Sequence, residues 1–121
     1  MALRVLVVDD SPRFRDVAAA LLAERGAVLF AEAGDASQAL DAVARECPDG
    51  ILLDVNLPGP DGFTAAAALA AVCPGVPIVL TSANVGYVSQ ALLRDCAAVA
   101  FVPKEELACA DLTALFTPAG T

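Results

Sequence analysis

Ile51-Leu52-Leu53-Asp54-Val55-Asn56-Leu57-Pro58-Gly59 is an apolar run that ends in a carboxylate and gives way to a Pro/Gly-rich loop. Such a short run reads as a strand buried on both faces, with the loop marking its carboxyl end. In open α/β sheets that end is where ligands and chemistry sit, so Asp54 stands where a functional carboxylate would. On this stretch alone, an ordinary loop aspartate explains it equally well.

A second stretch has the same grammar. Val5-Leu6-Val7-Val8 runs into Asp9-Asp10-Ser11-Pro12. Two such strand ends side by side would gather three carboxylates. Like charges at that range repel, and each raises the pKa of the other unless a cation neutralises them. Hard divalent ions take oxygen ligands, and Mg²⁺ usually sits on one or two carboxylates plus phosphate and water. The pattern therefore points to Mg²⁺ and phosphoryl chemistry. A purely structural role for Asp9 as a helix cap is displaced by Ser11, which already fills that position.

The whole chain sets bounds on these readings. Its 121 residues suit one domain with a real core. Hydrophobic residues make up 58% and charged residues 18%, which excludes a disordered chain. A formal net charge of −8 argues against direct nucleic-acid binding. No apolar run approaches membrane-helix length, and the amino terminus carries no signal-peptide pattern, so a cytoplasmic protein is expected. Cys47, Cys73, Cys96 and Cys109 show no CxxC spacing. They are expected to be small buried hydrophobes, neither disulfide-bonded nor metal-bound. With no His, the chain cannot itself be a phosphohistidine donor.

In order, strands and helices alternate. Ser11 reads as an N-cap with Pro12 at the first helical position, and Phe14, Val17, Ala18, Leu21 and Leu22 recur at helical spacing until Gly26. Residues 27–33 read as a second strand. Asp35 with Gln38 resembles a capping box, opening a helix whose stripe is Ala39, Leu40, Val43 and Cys47. After the Asp54 strand, residues 63–73 form an alanine-rich helix with no clear buried face. Ile78-Val79-Leu80 is a fourth strand, ending in Thr81-Ser82-Ala83-Asn84. A helix over about 86–94 carries Val88, Ala91 and Leu92 inward, residues 98–102 form a fifth strand, and 107–116 the last helix. Five strand–helix repeats specify a parallel, right-handed, three-layer α/β sandwich.

Asp9-Asp10, Asp54, Ser82-Ala83, Phe101 and Lys104 fall at successive strand ends. In order and spacing they resemble a response-regulator receiver domain, and the resemblance runs from Leu3 to Phe116. It implies a flavodoxin-like fold with five helices around a five-stranded parallel sheet of order 2-1-3-4-5, in which the first and third strands are neighbours. It implies that Asp54 accepts a phosphoryl group from a phosphohistidine on a partner kinase or phosphotransfer protein. Asp10 would ligate Mg²⁺ directly, Asp9 mainly through water, and Asp54 and the backbone carbonyl of Asn56 would complete the protein's share. Lys104 would stand beside the phosphoryl oxygens as a point charge, since transfer through a loose transition state needs positioning and charge neutralisation. Ser82 would be the hydroxyl that moves to the phosphate, preferred over Thr81. Phe101 would follow it inward beside the small Ala83, coupling phosphorylation to a face made by the fourth helix, fifth strand and fifth helix. That face would meet a downstream protein target or a second, phosphorylated copy.

Three further expectations follow from the resemblance. Phe14, Arg15 and Ala18 on the first helix would dock the phosphodonor beside the acidic pocket. Asn56 and Asn84, two residues after the acceptor and the switch hydroxyl, would orient the water that hydrolyses the acyl phosphate. The chain would be a stand-alone regulator that catalyses only its own phosphorylation and dephosphorylation. Two features depart from the receiver pattern. Lys104 is followed by Glu105 where receivers carry a Pro across a cis bond, and the loop has Pro60 before Asp61-Gly62 in place of Met. Two alternatives compete with a working receiver: a degenerate one acting as an interaction module, and a haloacid-dehalogenase-like phosphatase suggested by Asp54-Val55-Asn56. The latter family has its acidic pair late in the chain and a cap domain, neither of which matches this order.

Overall fold

A computed structural model describes residues 2–83 and 96–117. The chain runs β1 (Arg4–Val8), α1 (Pro12–Glu24), β2 (Val28–Ala33), α2 (Ala36–Arg45), β3 (Gly50–Asp54), α3 (Gly62–Val72), β4 (Ile78–Ser82) and β5 (Ala100–Pro103). A 3₁₀ turn at Lys104–Glu106 and a terminal helix at Leu112–Phe116 follow. The five strands form one parallel sheet of order β2-β1-β3-β4-β5, the flavodoxin-like order expected from the sequence. The helix expected over 86–94, with Val88, Ala91 and Leu92, lies outside the described residues.

The apolar runs become strands because both faces of the sheet are covered. Leu6, Val8, Ile51, Leu53, Ile78 and Leu80 point to one side, onto Ala39 and Val43 of α2 and Ala65, Ala66 and Leu69 of α3. Val5, Val7, Leu52 and Val79 point to the other, onto Ala18 and Leu22 of α1 and Leu112 and Phe116 of the terminal helix. A period of two along each strand thus feeds two cores, which is why these runs are continuously apolar. The Phe116 ring packs against Gly50, where an added Cβ would fall 2.3 Å from it. The alanines of α3 find their buried face in Ala65, Ala66 and Leu69.

Side-chain caps set the helix starts. Ser11 Oγ accepts from the Phe14 N–H at 3.2 Å, with Pro12 at the first helical position. Asp35 Oδ1 accepts from Gln38 N–H at 2.8 Å. Gln38 reaches back one residue beyond the cap, its Oε1 accepting from Gly34 N–H at 2.7 Å. Asp61 caps α3 through Thr64 N–H at 2.9 Å, so the loop read from Pro60-Asp61-Gly62 is also a helix start.

Three expectations are corrected. The last helix begins at Leu112, not Leu107, because Asp111 Oδ1 accepts from Ala114 N–H at 3.2 Å and so opens a new helix there. Leu107 still packs in the core, from the preceding turn. Val17, placed on the apolar stripe of α1, is 51% exposed, since the buried stripe narrows to Ala18 and Leu22. Finally, Cys47 and Cys73 form a disulfide, with Cα atoms 5.8 Å apart. Linear spacing hid this contact: Cys47 lies two residues past the end of α2 and Cys73 directly follows α3, and the two helices are neighbours on one side of the sheet. Of the four cysteines only Cys73 is buried; Cys47 and Cys109 are exposed and Cys96 is partly so.

Candidate functional site

Register brings the strand ends into line. Val8 pairs with Leu53, Asp54 with Thr81, and Ser82 with Pro103, so the residues that follow β1, β3, β4 and β5 share one edge of the sheet. Asp9 N–H donates to Ala33 carbonyl at 2.9 Å, carrying the pairing of β1 with β2 one residue further and pulling the Asp9 side chain under cover. Asp9 is fully buried, Asp54 is 4% exposed, and Asp10 is exposed.

One carboxylate oxygen from each of Asp9, Asp10 and Asp54 lies within 4.8 Å of the other two. Ser11 N–H donates to Asp9 Oδ1 at 2.9 Å, and Asn56 N–H to Asp54 Oδ1 at 3.1 Å. The opposite oxygens face Lys104, whose Nζ is 2.7 Å from Asp9 Oδ2 and 3.6 Å from Asp54 Oδ2. Asp9 Oδ2 accepts no hydrogen bond of good geometry among the described residues, so the ammonium balances its charge without saturating its lone pairs. Burial pushes the Asp54 carboxyl above its ordinary value, and Asp9 pushes it further. The Asn56 N–H and Lys104 pull the other way without cancelling the shift.

This donor set suits a hard divalent cation. Three carboxylates converge, two of them buried, with one cation nearby and an under-coordinated buried oxygen. Asn56 Nδ2 donates to Ser82 Oγ at 2.9 Å, joining the loop after β3 to the end of β4. Thr81, the rival hydroxyl, is fully buried on the Val79 side of the strand, and its Oγ1 has no hydrogen-bond partner among the described residues.

The structure therefore gathers Asp9, Asp10, Asp54, Asn56, Ser82 and Lys104 at one edge. Phe101 pairs with Leu80 across the β4–β5 ladder and packs, half-buried, on the α2/α3 side of the sheet. Ala83 is exposed just past β4. Asn84 lies outside the described residues. All peptide bonds among the described residues are trans, Lys104–Glu105 included.

One member of the docking set on α1 is corrected. Ala18 is 1% exposed and packs in the core, so it presents nothing to a partner. Arg15 is engaged within the fold, its Nη1 donating to Asp9 carbonyl at 2.6 Å and its Nε to Glu32 Oε1 at 2.9 Å. Phe14 holds its ring 4.1 Å from Lys104 Nζ. Sequence reading also missed Gly62. Its N–H donates to Val55 carbonyl at 2.8 Å, and a Cβ there would sit 2.4 Å from the Asp54 carbonyl oxygen. The signal was present as a glycine directly after a capping aspartate, where helix formation does not call for one.

Comparison with known proteins agrees with the geometry. The chain is 39% identical over 107 residues to a protein-glutamate methylesterase/protein-glutamine glutaminase of Anaeromyxobacter dehalogenans, covering 86% of this chain and 29% of that protein. It is 39% identical over 104 residues to the DNA-binding response regulator MtrA of Mycolicibacterium smegmatis, covering 86% of this chain and 45% of that one. It thus spans less than half the length of either relative. The crystal structure of a LuxR-family two-component response regulator from an Aurantimonas species superposes with a TM-score of 0.83 at 27% identity, covering 95% of this chain and 86% of that one. The sequence matches the response regulator receiver domain family over residues 5–116. With that match over nearly its whole length, the chain belongs to the response-regulator receiver domains of two-component signalling.

Proposed function

We propose that Asp54 is the phosphoacceptor of this receiver. The observation that carries this reading is a nearly buried carboxylate at a strand end with an ammonium 3.6 Å away and two further carboxylates within 4.8 Å. An Asp54 oxygen forms the new O–P bond as the P–N bond of a partner's phosphohistidine breaks, and the imidazole leaves with the electron pair. The product is an acyl phosphate, reactive enough to be temporary. Lys104 draws off charge gathering on the phosphoryl oxygens. Ser82 donates its hydroxyl to one of them, giving up its place beside the Asn56 amide. Phe101 follows toward the space Ser82 vacates, altering the surface around β5 and the terminal helix for a downstream protein or a second copy.

Asp9, Asp10, Asp54 and the Asn56 carbonyl would hold Mg²⁺, which supplies neutralisation of phosphoryl charge when bound. Asn56 and Asn84, as amides, orient hydrolytic water without repelling the phosphoryl group. The chain works in the cytoplasm, takes phosphate from a histidine kinase or phosphotransfer protein, and turns over no other substrate. No helix among the described residues is long and apolar enough to cross a membrane.

Labelling with acetyl phosphate and Mg²⁺ tests the reading against its competitors. Stoichiometric, EDTA-sensitive label that Asp54→Asn abolishes is expected. Turnover of a phosphomonoester such as p-nitrophenyl phosphate would make the protein a phosphatase, and absence of label a degenerate receiver.

A further inference from the structure

We propose that Phe14 is a positioning residue for Lys104 in phosphoryl transfer, an inference that rests on the phosphoacceptor reading of Asp54. Lysine is a compact charge on a flexible four-carbon stem, so a site that needs its ammonium at one point must restrain it. Here two restraints act. Asp9 Oδ2 holds Nζ at 2.7 Å, and the Phe14 ring holds it at 4.1 Å from the ring centroid. Only the first is a competitor for other cations: an ion held by Asp9 takes up the same carboxylate. The ring contact is independent of that competition and keeps the ammonium near Asp54, 3.6 Å away, whatever Asp9 is doing.

The ring is itself well fixed. Phe14 lies in the first turn of α1, where its own N–H is bonded to Ser11 Oγ and Pro12 sets the entry of the helix. Next to it, Arg15 ties the same turn to the Asp9 carbonyl and to Glu32 on β2. Phe14 packs half-buried against the core on the α1 side. Lys104 is only 20% exposed, so the cation–π attraction acts partly out of water, where it is stronger. What the reaction requires is the negative face of the ring. An aliphatic side chain of like size would fill the space without attracting the ammonium. The role lies in the transfer step, so it differs from docking of a partner: a change at Phe14 slows phosphorylation by small donors as well as by a phosphohistidine protein.

The test compares Phe14→Tyr, Phe14→Leu and Phe14→Met, each confirmed folded by its far-UV circular dichroism, with acetyl phosphate as donor. Tyr should keep the parent rate. Leu and Met should slow it roughly three- to tenfold, the change a cation–π contact of ordinary strength corresponds to. The apparent affinity for Mg²⁺ should be unchanged. Independently, the Lys104 Hε protons should resonate upfield in the parent and in Phe14→Tyr, because they adjoin an Nζ that lies over the ring, and should lose that shift in Phe14→Leu. A Leu or Met variant that labels at the parent rate, or a Lys104 Hε shift that survives Phe14→Leu, would overturn the inference. A parent protein that takes no label would instead overturn the phosphoacceptor reading and this role with it.

Discussion

Replacing Asp54 by Asn is expected to stabilise the metal-free protein at neutral pH. The substitution removes one attraction and two repulsions. At an effective dielectric constant near 20, Lys104 at 3.6 Å attracts the carboxylate by about 4–5 kcal/mol. Asp9 or Asp10 at up to 4.8 Å repels it by about 3–4 kcal/mol each. Together the two repulsions outweigh the attraction, although solvent screens the exposed Asp10, and the cost of holding a charge in a site only 4% exposed acts in the same direction. Asn keeps an oxygen for the Asn56 N–H and turns a new N–H toward the acidic pair. A gain of about 1–2 kcal/mol follows, which in a domain of this size raises the melting temperature by roughly 5 °C. The pH dependence has a definite sign. The folded carboxyl titrates above its ordinary value of 3.8. Its charge therefore lowers stability fully above the folded pKa, and the penalty vanishes once folded and unfolded chains are both protonated. The advantage of the Asn variant should be largest near neutrality and shrink as pH falls toward 3.8. Urea unfolding in EDTA across that range measures it. A variant less stable than the parent at neutral pH, or a gain independent of pH, would refute the reasoning.

Gly62→Ala should cost about 2–3 kcal/mol by urea denaturation, since its Cβ would press on the backbone of Asp54 and Val55 and little there can yield. Thr81→Val should raise stability by about 1 kcal/mol, because the buried hydroxyl it removes has no hydrogen-bond partner among the described residues. An unreduced digest should contain a peptide linked through Cys47 and Cys73. Reduction should lower stability by about 3 kcal/mol for a separation of 26 residues, and Cys47→Ser should show the same loss with no further response to reductant.

Much of this site is legible in the sequence because strand ends mark themselves. A buried parallel strand is a run of apolar residues that stops where the chemistry begins, and Val8-Asp9, Leu53-Asp54 and Leu80-Thr81-Ser82 all stop that way. Ser11 and Asp35 announce helix starts because capping is a local bond, three residues in reach. What stays hidden depends on contacts distant in sequence. Cys47 meets Cys73 because two helices lie side by side, and Gly50 is bare because Phe116 covers it. Phe14 and Lys104 are 90 positions apart along the chain, so only the fold shows that a residue read as a docking contact holds the site's cation. Ala18 shows the opposite error: its docking role followed from the resemblance, whereas its place on the apolar stripe of the first helix already put it in the core.

The central claim is that Asp54, and no other carboxylate of the cluster, carries the phosphoryl group. Sodium borohydride reduces an aspartyl phosphate to homoserine and leaves free carboxylates untouched. Treating the acetyl phosphate-labelled protein in this way, followed by peptide sequencing by mass spectrometry, should place a single homoserine at position 54. Homoserine at position 9 or 10, or labelled protein that yields none, would contradict the account.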